Sequence, residues 1–292
     1  MGGDFYLIKE AGRSFTTNIE FLQILYNTAD AHNCGTNKEG YCYTNEKYVL
    51  VVSNVTHETI GDYKTYSLAG TDQEVRFITQ VLKLKPGESI LDLYCGYGRH
   101  AIELAKQGFN ITGIDGTQDF LDIAIQKSQE ANVSITFTKK DMRELDYSEN
   151  FAAVINMFAA FGYFTDEENA NIIKLVAKAL QPNGLFLIDL LNRDWMVRNN
   201  LNRYWRHPSG ECVLSYKVEL ENGIATMKRQ LINQVTGIKT QYDFVLRAYS
   251  LPEMANIFSN SGLSIVATYG GFDGRLYSSE TPRMIILAKK NS

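Results

Sequence analysis

Residues 90–108 read ILDLYCGYGRHAIELAKQG, and this stretch decides the fold of the chain. It begins as an apolar strand, turns at Gly96 and Gly98, and continues as an amphipathic helix. Glycine tolerates the backbone angles of such a turn and lets a ligand approach the main chain closely. The start of the helix offers unpaired N–H groups and a partial positive charge. The pattern therefore predicts a ligand-binding turn between a buried strand and a helix.

The alternation of strand and helix continues on the C-terminal side of this stretch. Apolar runs predict strands at residues 89–94, 110–115, 134–139, 151–157 and 185–191, with helices between them, and two closing strands near 264–269 and 283–288. Strands that are apolar on both faces and separated by helices form a parallel sheet that is covered on both sides. The sequence therefore predicts an α/β fold.

Three helix starts are predicted from a Ser or Thr that is followed three residues later by Glu, the signature of a capping box. The predicted capping residues are Thr71, Thr165 and Ser250. Each of them should lie directly before the first turn of a helix.

Residues 201–249 interrupt the alternation and are predicted to form a small antiparallel insertion. Asn222 and Gly223 lie between two alternating segments, which indicates a hairpin. The insertion holds seven Lys or Arg and four acidic residues, a net charge of +3, whereas the whole chain carries −4. We expect it to serve as a substrate lid, in that case for an anionic substrate, or as the interface of a homodimer.

The first sixty residues are expected to form an α+β extension. A helix is predicted over residues 17–32 and a hairpin within 41–52. This extension, residues 1–60, would act as a lid or a dimer arm, and residues 61–200 and 250–292 would make up the main domain.

Composition and charge exclude several classes of function. Of the 292 residues, 45% are apolar and 21% are charged, which is typical of a globular enzyme. No Lys or Arg run indicates a nucleic-acid partner, and no apolar run is long enough to cross a bilayer. A signal-peptide pattern and a Cys-x-x-Cys pair are also missing from the sequence. We therefore expect a cytoplasmic protein with reduced cysteines and no metal site.

Two acidic residues follow the second and third predicted strands, where a nucleotide would lie. Asp115 ends the second strand, and an acid in that place accepts the two hydroxyls of a ribose or, alternatively, caps the next helix. Asp141 follows the third strand and would accept the amino group of an adenine, unless it is an ordinary surface acid. Together with Ala101, the glycine turn also fits the Gly-x-Gly-x-x-Ala fingerprint of dinucleotide sites.

Asp92 distinguishes between the nucleotide ligands that remain. It lies inside the first strand, where a buried carboxylate is costly unless something binds it. Beside a pyrophosphate this acid would repel the ligand. S-adenosylmethionine carries an α-ammonium and a sulfonium and has no phosphate. Asp92 therefore favours S-adenosylmethionine over NAD.

Four motifs in order carry a resemblance to a known family. They are DLYCGYG at residues 92–98, GID at 113–115, DMR at 141–143 and NMFAAFGY at 156–163. Over residues 62–292 the chain resembles the class I S-adenosylmethionine-dependent methyltransferases, and within them the small-molecule group that includes amino-sugar N-methyltransferases. The resemblance implies a Rossmann-like sheet of seven mostly parallel strands with an antiparallel last strand and helices on both faces. It also implies a methyl-transfer enzyme that leaves S-adenosylhomocysteine as product.

The motif residues and the resemblance together imply a cofactor site, residue by residue. Tyr94 departs from the family, which has glycine there, and makes the turn bulkier. Arg99 is expected to bind the cofactor carboxylate or to pair with a surface acid, while His100 packs at the helix start. The residues predicted to bind the cofactor are Asp92, Tyr94, Gly96, Gly98, Arg99, Asp115, Gly116, Asp141, Met142, Met157, Phe158, Tyr63 and Tyr66. Residues 157 and 158, at the end of the fourth predicted strand, are equally consistent with core packing, and the two N-terminal tyrosines with a surface loop.

The substrate pocket is expected beyond the carboxyl ends of the strands. Its candidate lining residues, which also suit the core or rim of the insertion, are Phe161, Tyr163, Asn192, Trp195, Tyr204, Trp205, Arg247 and Tyr249. No arrangement of a catalytic base is visible, so no catalytic residue is assigned and an amine acceptor is slightly preferred over a hydroxyl.

Two alternative functions remain open at this point. One is an NAD-linked oxidoreductase, which Asp92 and the lack of a Tyr-x-x-x-Lys motif disfavour. The other is an inactive subunit that binds the cofactor without turnover, which the intact motif residues disfavour.

Overall fold

A computed structural model describes residues 35–36, 42–43, 68–199, 203–206, 212–233 and 239–291 of the chain. Its main feature is a seven-stranded sheet. The strands of this sheet are β3 (Ser89–Leu93), β4 (Asn110–Asp115), β5 (Thr136–Lys139), β6 (Phe151–Asn156), β7 (Leu180–Leu191), β12 (Leu263–Tyr269) and β13 (Arg283–Lys290). The helices are α1 (Leu68–Leu82), α2 (Arg99–Lys106), α3 (Gln118–Glu130), α4 (Asp166–Ala179), α5 (Arg193–Arg198) and α6 (Leu251–Ser259).

The strand order is β12-β13-β7-β6-β3-β4-β5. Five neighbouring strands pair in parallel, in the order β7, β6, β3, β4 and β5. Strand β13 runs antiparallel to both of its neighbours, β7 and β12. The chain moves outward from β3 to β5 and then returns to place β6 on the other side of β3. This reversal is the switch point at which open α/β sheets bind their ligands. The predicted α/β fold with an antiparallel last strand is confirmed.

The two faces of the sheet are covered by two separate apolar clusters, which explains why its strands lack a polar face. Ile90 and Ile155 pack into the cluster that contains side chains of α1 and α2. Their neighbours Leu91 and Val154 point the opposite way, into the cluster that contains side chains of α4 and α6. Side chains alternate between faces along a strand, so both faces must be apolar when helices cover both.

Two of the three predicted capping boxes are present. Thr165 and Ser250 each accept a bond from the N–H of the Glu three residues later, and each of those Glu side chains bonds back to the cap. The prediction for Thr71 is wrong, because α1 already spans this residue and begins at Leu68. Residues three apart lie on the same helix face, so the Thr-x-x-Glu spacing serves another purpose here. Thr71 and Glu74 are both buried and point toward α2.

A second, antiparallel sheet lies between β7 and α6 in the sequence. It consists of β8 (Arg203–Arg206), β9 (Cys212–Glu221), β10 (Ile224–Asn233) and β11 (Lys239–Arg247), in the order β11-β10-β9-β8. The predicted hairpin is confirmed: β9 and β10 pair directly, and Asn222 and Gly223 both have positive φ angles, 51° and 78°. Positive φ at both central residues is what a tight hairpin turn requires.

The N-terminal part contributes a short antiparallel pair, β1 (Gly35–Thr36) with β2 (Cys42–Tyr43). The helix predicted over residues 17–32 and most of the hairpin predicted within 41–52 lie outside the described residues. In the part of the chain that the structure describes, no helix is both long and apolar enough to cross a membrane.

Candidate active site

The turn between β3 and α2 is built from three residues with left-handed backbone angles. Tyr94, Gly96 and Gly98 have φ values of 62°, 54° and 75°. A Cβ atom on Gly98 would lie 3.0 Å from the side chains of Ala124 and Phe137, whereas one on Gly96 would meet nothing within 4 Å. Gly98 therefore allows close packing inside the fold, and Gly96 leaves open space above the turn. Tyr94 adopts the glycine-like conformation although it carries a large side chain.

The open space above the turn belongs to a cleft at the carboxyl end of β3. Six of the predicted cofactor residues line this cleft: Asp92, Tyr94, Gly96, Arg99, Met157 and Phe158. The other residues that line it are Cys95, Tyr97, His100 and Phe120. The structure thus brings together the ends of β3 and β6 and the start of α2, as their positions at the switch point require.

Asp92 is buried without full hydrogen bonding. Its side chain is 1% exposed, and Oδ2 has no hydrogen-bond partner among the described residues. Burial raises the pKa of Asp92 to about 7; the charge of Arg99 opposes this rise and that of Asp115 adds to it. A buried, unbonded carboxylate oxygen at a cleft is complementary to a cationic ligand group.

Arg99 is held along one edge of its guanidinium group. Nη1 donates to Oγ1 of Thr71 at 2.9 Å and forms an ion pair with Glu74. The guanidinium carbon lies 3.7 Å from the centre of the Phe158 ring. Nη2 is buried and has no hydrogen-bond partner in the described part of the chain. Arg99 therefore pairs with a buried acid on α1, and its second edge is left to bind an anionic group.

His100 lies buried at the start of α2, and its Nε2 is 2.8 Å from Oε2 of Glu74. Burial and the Arg99 charge lower the pKa of His100 to about 4, so the ring is neutral at pH 7 and donates its N–H to the carboxylate. Burial alone would raise the pKa of Glu74, but Arg99 and His100 outweigh it and lower that pKa to about 2. The ionised Glu74 is thus shared by two neighbours.

Asp115 is fully buried and fastens the glycine turn to β4. Its Oδ2 accepts the N–H of Gly96 and its Oδ1 accepts the N–H of Thr117, each at 2.9 Å. Burial raises the pKa of Asp115 to about 6 against the effect of these bonds. The Tyr94 hydroxyl lies 3.4 Å from the position that a Cβ of Gly116 would take, so the Tyr94 ring lies beside the end of β4.

Asp141 lies after β5, partly exposed, and caps the short 3₁₀ helix Met142–Glu144. Its Oδ1 accepts the N–H of Arg143 at 2.8 Å, and its Oδ2 pairs with the Arg143 guanidinium at 2.7 Å. Met142 is buried. Residues 98, 115, 116, 141 and 142 do not line the cleft described above.

The loop after β6 has a strained backbone, and side chains of β7 and β13 stabilise it. Phe158 and Ala159 have φ values of 63° and 51°, in the left-handed region that non-glycine residues avoid. The Phe158 N–H donates to Oδ2 of Asp189 at 3.1 Å, and Arg283 Nη1 donates to the same oxygen at 2.9 Å. Both members of this ion pair are buried, with 0% and 1% of their side chains exposed.

Glu74, Asp189 and Arg283 were not among the predicted site residues. The Thr-x-x-Glu spacing assigned Glu74 to a cap, which hid its role. Asp189 lies in the run LFLIDLL, an acid within an apolar strand, and that signal is the one that singled out Asp92. Applied to β7, the same argument would have found Asp189.

Among the predicted substrate residues, Phe161, Tyr163 and Trp195 lie in or against the core. The Tyr163 ring stacks on Tyr94 with 6.4 Å between centroids, which places it near the turn, and its hydroxyl donates to the Ala159 carbonyl at 3.2 Å. Tyr204 and Trp205 lie on β8, but their side chains, like all of Tyr63 and Tyr66, are outside the described part of the structure.

The remaining substrate candidates hold neighbouring segments in place. Asn192 caps α5 and donates to the carbonyls of Ser278 and Thr281. Arg247 pairs with Asp166 and Glu253 and so ties β11 to α4 and α6. Tyr249 donates to Asp166 at 2.8 Å. Within the described ranges, no group of three or more His, Cys, Asp or Glu is placed to hold a metal ion.

Comparison with known proteins identifies this arrangement. A family model described as a methyltransferase domain matches residues 90–184, from β3 into β7. By this match the chain contains a methyltransferase domain. In this methyltransferase domain, the matched segment includes the glycine turn and the whole of strands β4, β5 and β6.

Relatives of the methyltransferase domain carry several methyltransferase names. YqeM of Bacillus subtilis, named as a methyltransferase, is 36% identical over 126 residues, which cover 42% of this chain and 50% of that protein. A ubiquinone biosynthesis O-methyltransferase of Rickettsia bellii is 32% identical over 36% of this chain and 42% of its own length. A glycine/sarcosine N-methyltransferase of Aphanothece halophytica is 21% identical over 76% of this chain and 84% of its own length. The chain thus spans about half the length of the first of these relatives.

Solved structures share the fold of the methyltransferase domain over a longer range. An S-adenosylmethionine-dependent methyltransferase from Clostridium acetobutylicum aligns with a TM-score of 0.68 at 17% identity, covering 81% of this chain and 99% of that one. The sugar N-methyltransferase KedS8 from Streptoalloteichus aligns with a TM-score of 0.63 at 14% identity, covering 86% and 98%. At these identities the likeness is one of fold.

Proposed function

We propose that the chain is an enzyme that transfers a methyl group from S-adenosylmethionine to a small-molecule acceptor. The observation that carries this proposal is a pair of buried, unbonded atoms of opposite charge at one cleft. Asp92 offers Oδ2 and Arg99 offers Nη2. The methionine end of the cofactor has an ammonium and a carboxylate, which complement these two atoms. The residues present therefore fit the cofactor.

The adenosine end of the cofactor is proposed to lie on the other side of the glycine turn. Asp115 and Gly116 at the end of β4 would face the ribose, and Asp141 and the Met142 backbone would face the adenine. Met157 and Phe158 would form the wall on the β6 side. This assignment follows the order of the strands at the switch point.

In the proposed reaction the bound cofactor supplies a methyl group on a sulfonium, which is already an activated leaving group. What the chain supplies is position. Asp92 and Arg99 hold the two charges of the methionine end, and the buried Met157 and Phe158 keep water from the reacting atoms. In-line displacement needs this alignment more than it needs acid or base help.

An amine is the proposed acceptor, because a neutral amine needs no strong base. His100 lines the cleft, but its N–H is committed to Glu74 and its pKa is lowered to about 4, chiefly by burial. A hydroxyl acceptor would need a base within hydrogen-bond reach. The relatives include enzymes named for both nitrogen and oxygen methylation, so their names leave the acceptor atom open.

Titration of the purified chain with S-adenosylmethionine, S-adenosylhomocysteine and NAD tests the cofactor. We expect the first two to bind and NAD not to bind, because the Asp92 carboxylate would repel a pyrophosphate. Binding of NAD alone would overturn the proposal. Incubation with methyl-labelled cofactor and a metabolite extract then tests the acceptor. A product methylated on oxygen would refute the proposal of an amine acceptor. Cofactor binding with no turnover on any extract would favour an inactive subunit.

The antiparallel insertion is proposed to cover the acceptor. Its strand β11 approaches the loop after β6, where the Arg247 N–H donates to the Gly162 carbonyl at 2.8 Å. A Cβ on Gly162 would lie 2.5 Å from the Arg247 carbonyl oxygen, so only glycine permits this approach. The alternative role of the insertion is a homodimer interface, which light scattering of the purified chain tests. If the chain is a monomer, the dimer role is excluded and the role as a lid is kept.

A further inference from the structure

We infer that Glu74 is a positioning residue that makes Arg99 the group that binds the cofactor carboxylate. The inference rests on the proposed function and deepens it. It concerns the buried face of α1, where the Thr-x-x-Glu motif lies inside the helix and does not cap its start.

The geometry of α1 sets which edge of the Arg99 guanidinium is occupied. Thr71 and Glu74 lie one turn apart on the same helix face, and both bond to Nη1. The Phe158 ring packs against the flat face of the guanidinium, with 3.7 Å from its centroid to the guanidinium carbon. With one edge bonded and one face covered, the Nη2 edge is the part of the group left for a ligand. An arginine fork that is fixed in this way binds a carboxylate with little loss of side-chain freedom.

Glu74 also keeps Arg99 away from Asp92. The two cleft residues carry opposite charges, and the Arg99 charge already opposes the rise in the pKa of Asp92. If Arg99 turned toward Asp92, the two would neutralise each other, and the cleft would lose both its cation-binding and its anion-binding atom. The Glu74 carboxylate, which does not line the cleft, offers Arg99 a competing partner. It is itself held by the His100 N–H at 2.8 Å, so it does not follow Arg99 into the cleft.

The test compares two ligands that differ at the amino-acid end. S-adenosylhomocysteine has the ammonium and the carboxylate, whereas 5′-methylthioadenosine has the adenosine and thioether without them. In Glu74→Gln we expect the Kd for S-adenosylhomocysteine to rise about tenfold to hundredfold, as the loss of an ordered charged hydrogen bond predicts. The Kd for 5′-methylthioadenosine should stay within about twofold, since that ligand does not reach Arg99.

Matched variants separate positioning from a general effect on folding. Asp72→Asn changes an exposed acid on the same helix and should leave both Kd values unchanged. Thr71→Val keeps the side-chain shape and removes one Nη1 partner, so it should weaken S-adenosylhomocysteine alone, by up to about tenfold. This second variant carries the test if Glu74→Gln does not fold. Glu74→Asp, which keeps the charge, should retain more affinity than Glu74→Gln.

Two results would overturn the inference, and a third would overturn the proposed function on which it rests. Equal weakening of both ligands in Glu74→Gln would show a structural role only. Unchanged affinity for both ligands in Glu74→Gln and Thr71→Val would show that Arg99 needs no positioning. If the unaltered chain bound neither ligand, the proposed function itself would fail, which is a separate outcome.

Discussion

The backbone N–H of Gly96 donates to Oδ2 of Asp115 at 2.9 Å, although 19 residues separate them in the chain. This bond joins the glycine turn after β3 to the end of β4. The second oxygen of Asp115 takes the N–H of Thr117 before α3, so one carboxylate fixes two strand-to-helix turns. The proposed cofactor site is therefore built on two turns that a single buried carboxylate joins.

The two glycines of the turn should respond differently to alanine. Both have positive φ, so either substitution costs about 1–2 kcal/mol in backbone strain. Gly98→Ala adds a clash with Ala124 and Phe137 and should lower the free energy of unfolding by about 1–3 kcal/mol more than Gly96→Ala. Gly96→Ala should instead weaken the binding of S-adenosylhomocysteine. The added methyl group would point into the open cleft that we propose the ligand fills. Urea unfolding and calorimetry of both variants measure this, and equal stability losses would contradict it.

Asp92 should make the stability of the chain depend on pH. Its pKa is raised from 3.8 to about 7 in the folded state, so its contribution to stability is greatest below pH 3.8 and is lost as pH rises to about 7. Asp92→Asn lacks this titration. The free energy of unfolding of the variant, minus that of the unaltered chain, should therefore be higher at pH 8 than at pH 4, by up to about 4 kcal/mol. Urea unfolding at both pH values measures the gain, and a constant difference between the two proteins would contradict it.

The same carboxyl group should make cofactor binding depend on pH. Only the ionised form of Asp92 attracts an ammonium, so the affinity for S-adenosylhomocysteine should rise by up to tenfold per pH unit below about 7 and level off above it. Asp92→Asn should bind weakly, with a flatter pH profile. Calorimetry between pH 5.5 and 8.5 gives both profiles. A steep rise that persists in the variant would assign the titration to another group.

Breaking the buried ion pair of Asp189 and Arg283 should lower the free energy of unfolding strongly, whereas replacing both residues by apolar ones should lower it less. Arg283→Met removes the cation that pairs with the buried Asp189 carboxylate and should lower the free energy of unfolding by about 3–5 kcal/mol. The double variant Asp189→Leu with Arg283→Met removes both charges and should recover part of that loss. Urea unfolding of the two single variants and the double variant gives the coupling energy. Strictly additive losses would show that the two side chains do not act as a pair.

Arg247 should matter more for stability than a comparable surface arginine. Its side chain is 13% exposed and bonds to Asp166, Glu253 and the Gly223 carbonyl, so Arg247→Met should cost about 1–3 kcal/mol. Arg198, with 57% of its side chain exposed, pairs only at the surface with Glu280, and Arg198→Met should cost under about 1 kcal/mol. Thermal or urea unfolding compares the two. Equal losses would mean that Arg247 does not anchor the insertion.

Local patterns in the sequence were sufficient to predict most of the sheet. Strand β4 was predicted to the residue, because its apolar run is clearly bounded. The hairpin at Asn222 and Gly223 and the caps at Thr165 and Ser250 depend on contacts within four residues, which a sequence displays directly. Strand β7 was predicted too short at its start, since residues 180–184 lack an apolar pattern of their own.

The site was predicted only in part, and Glu74 shows why. A Ser or Thr with a Glu three residues later puts both side chains on one helix face, whether that face looks at the helix end or at the protein interior. The local pattern is the same in both cases. Only the packing of α1 against α2 decides that Thr71 and Glu74 hold Arg99. Asp189 does carry a local signal, an acid within an apolar strand, but that signal does not reveal its partner Arg283, which lies 94 residues further along the chain.

By itself, the sequence determined the order of strands and helices, the glycine turn and the need for a partner at Asp92, because these follow from short-range periodicity and from the cost of burying a charge. The tertiary structure alone decided which edge of Arg99 stays free, which acid holds it, and how Asp189 and Arg283 support the strained loop at Phe158. Those features depend on side chains that meet across distant elements. Their distances and burial arise only when the helices pack on both faces of the sheet.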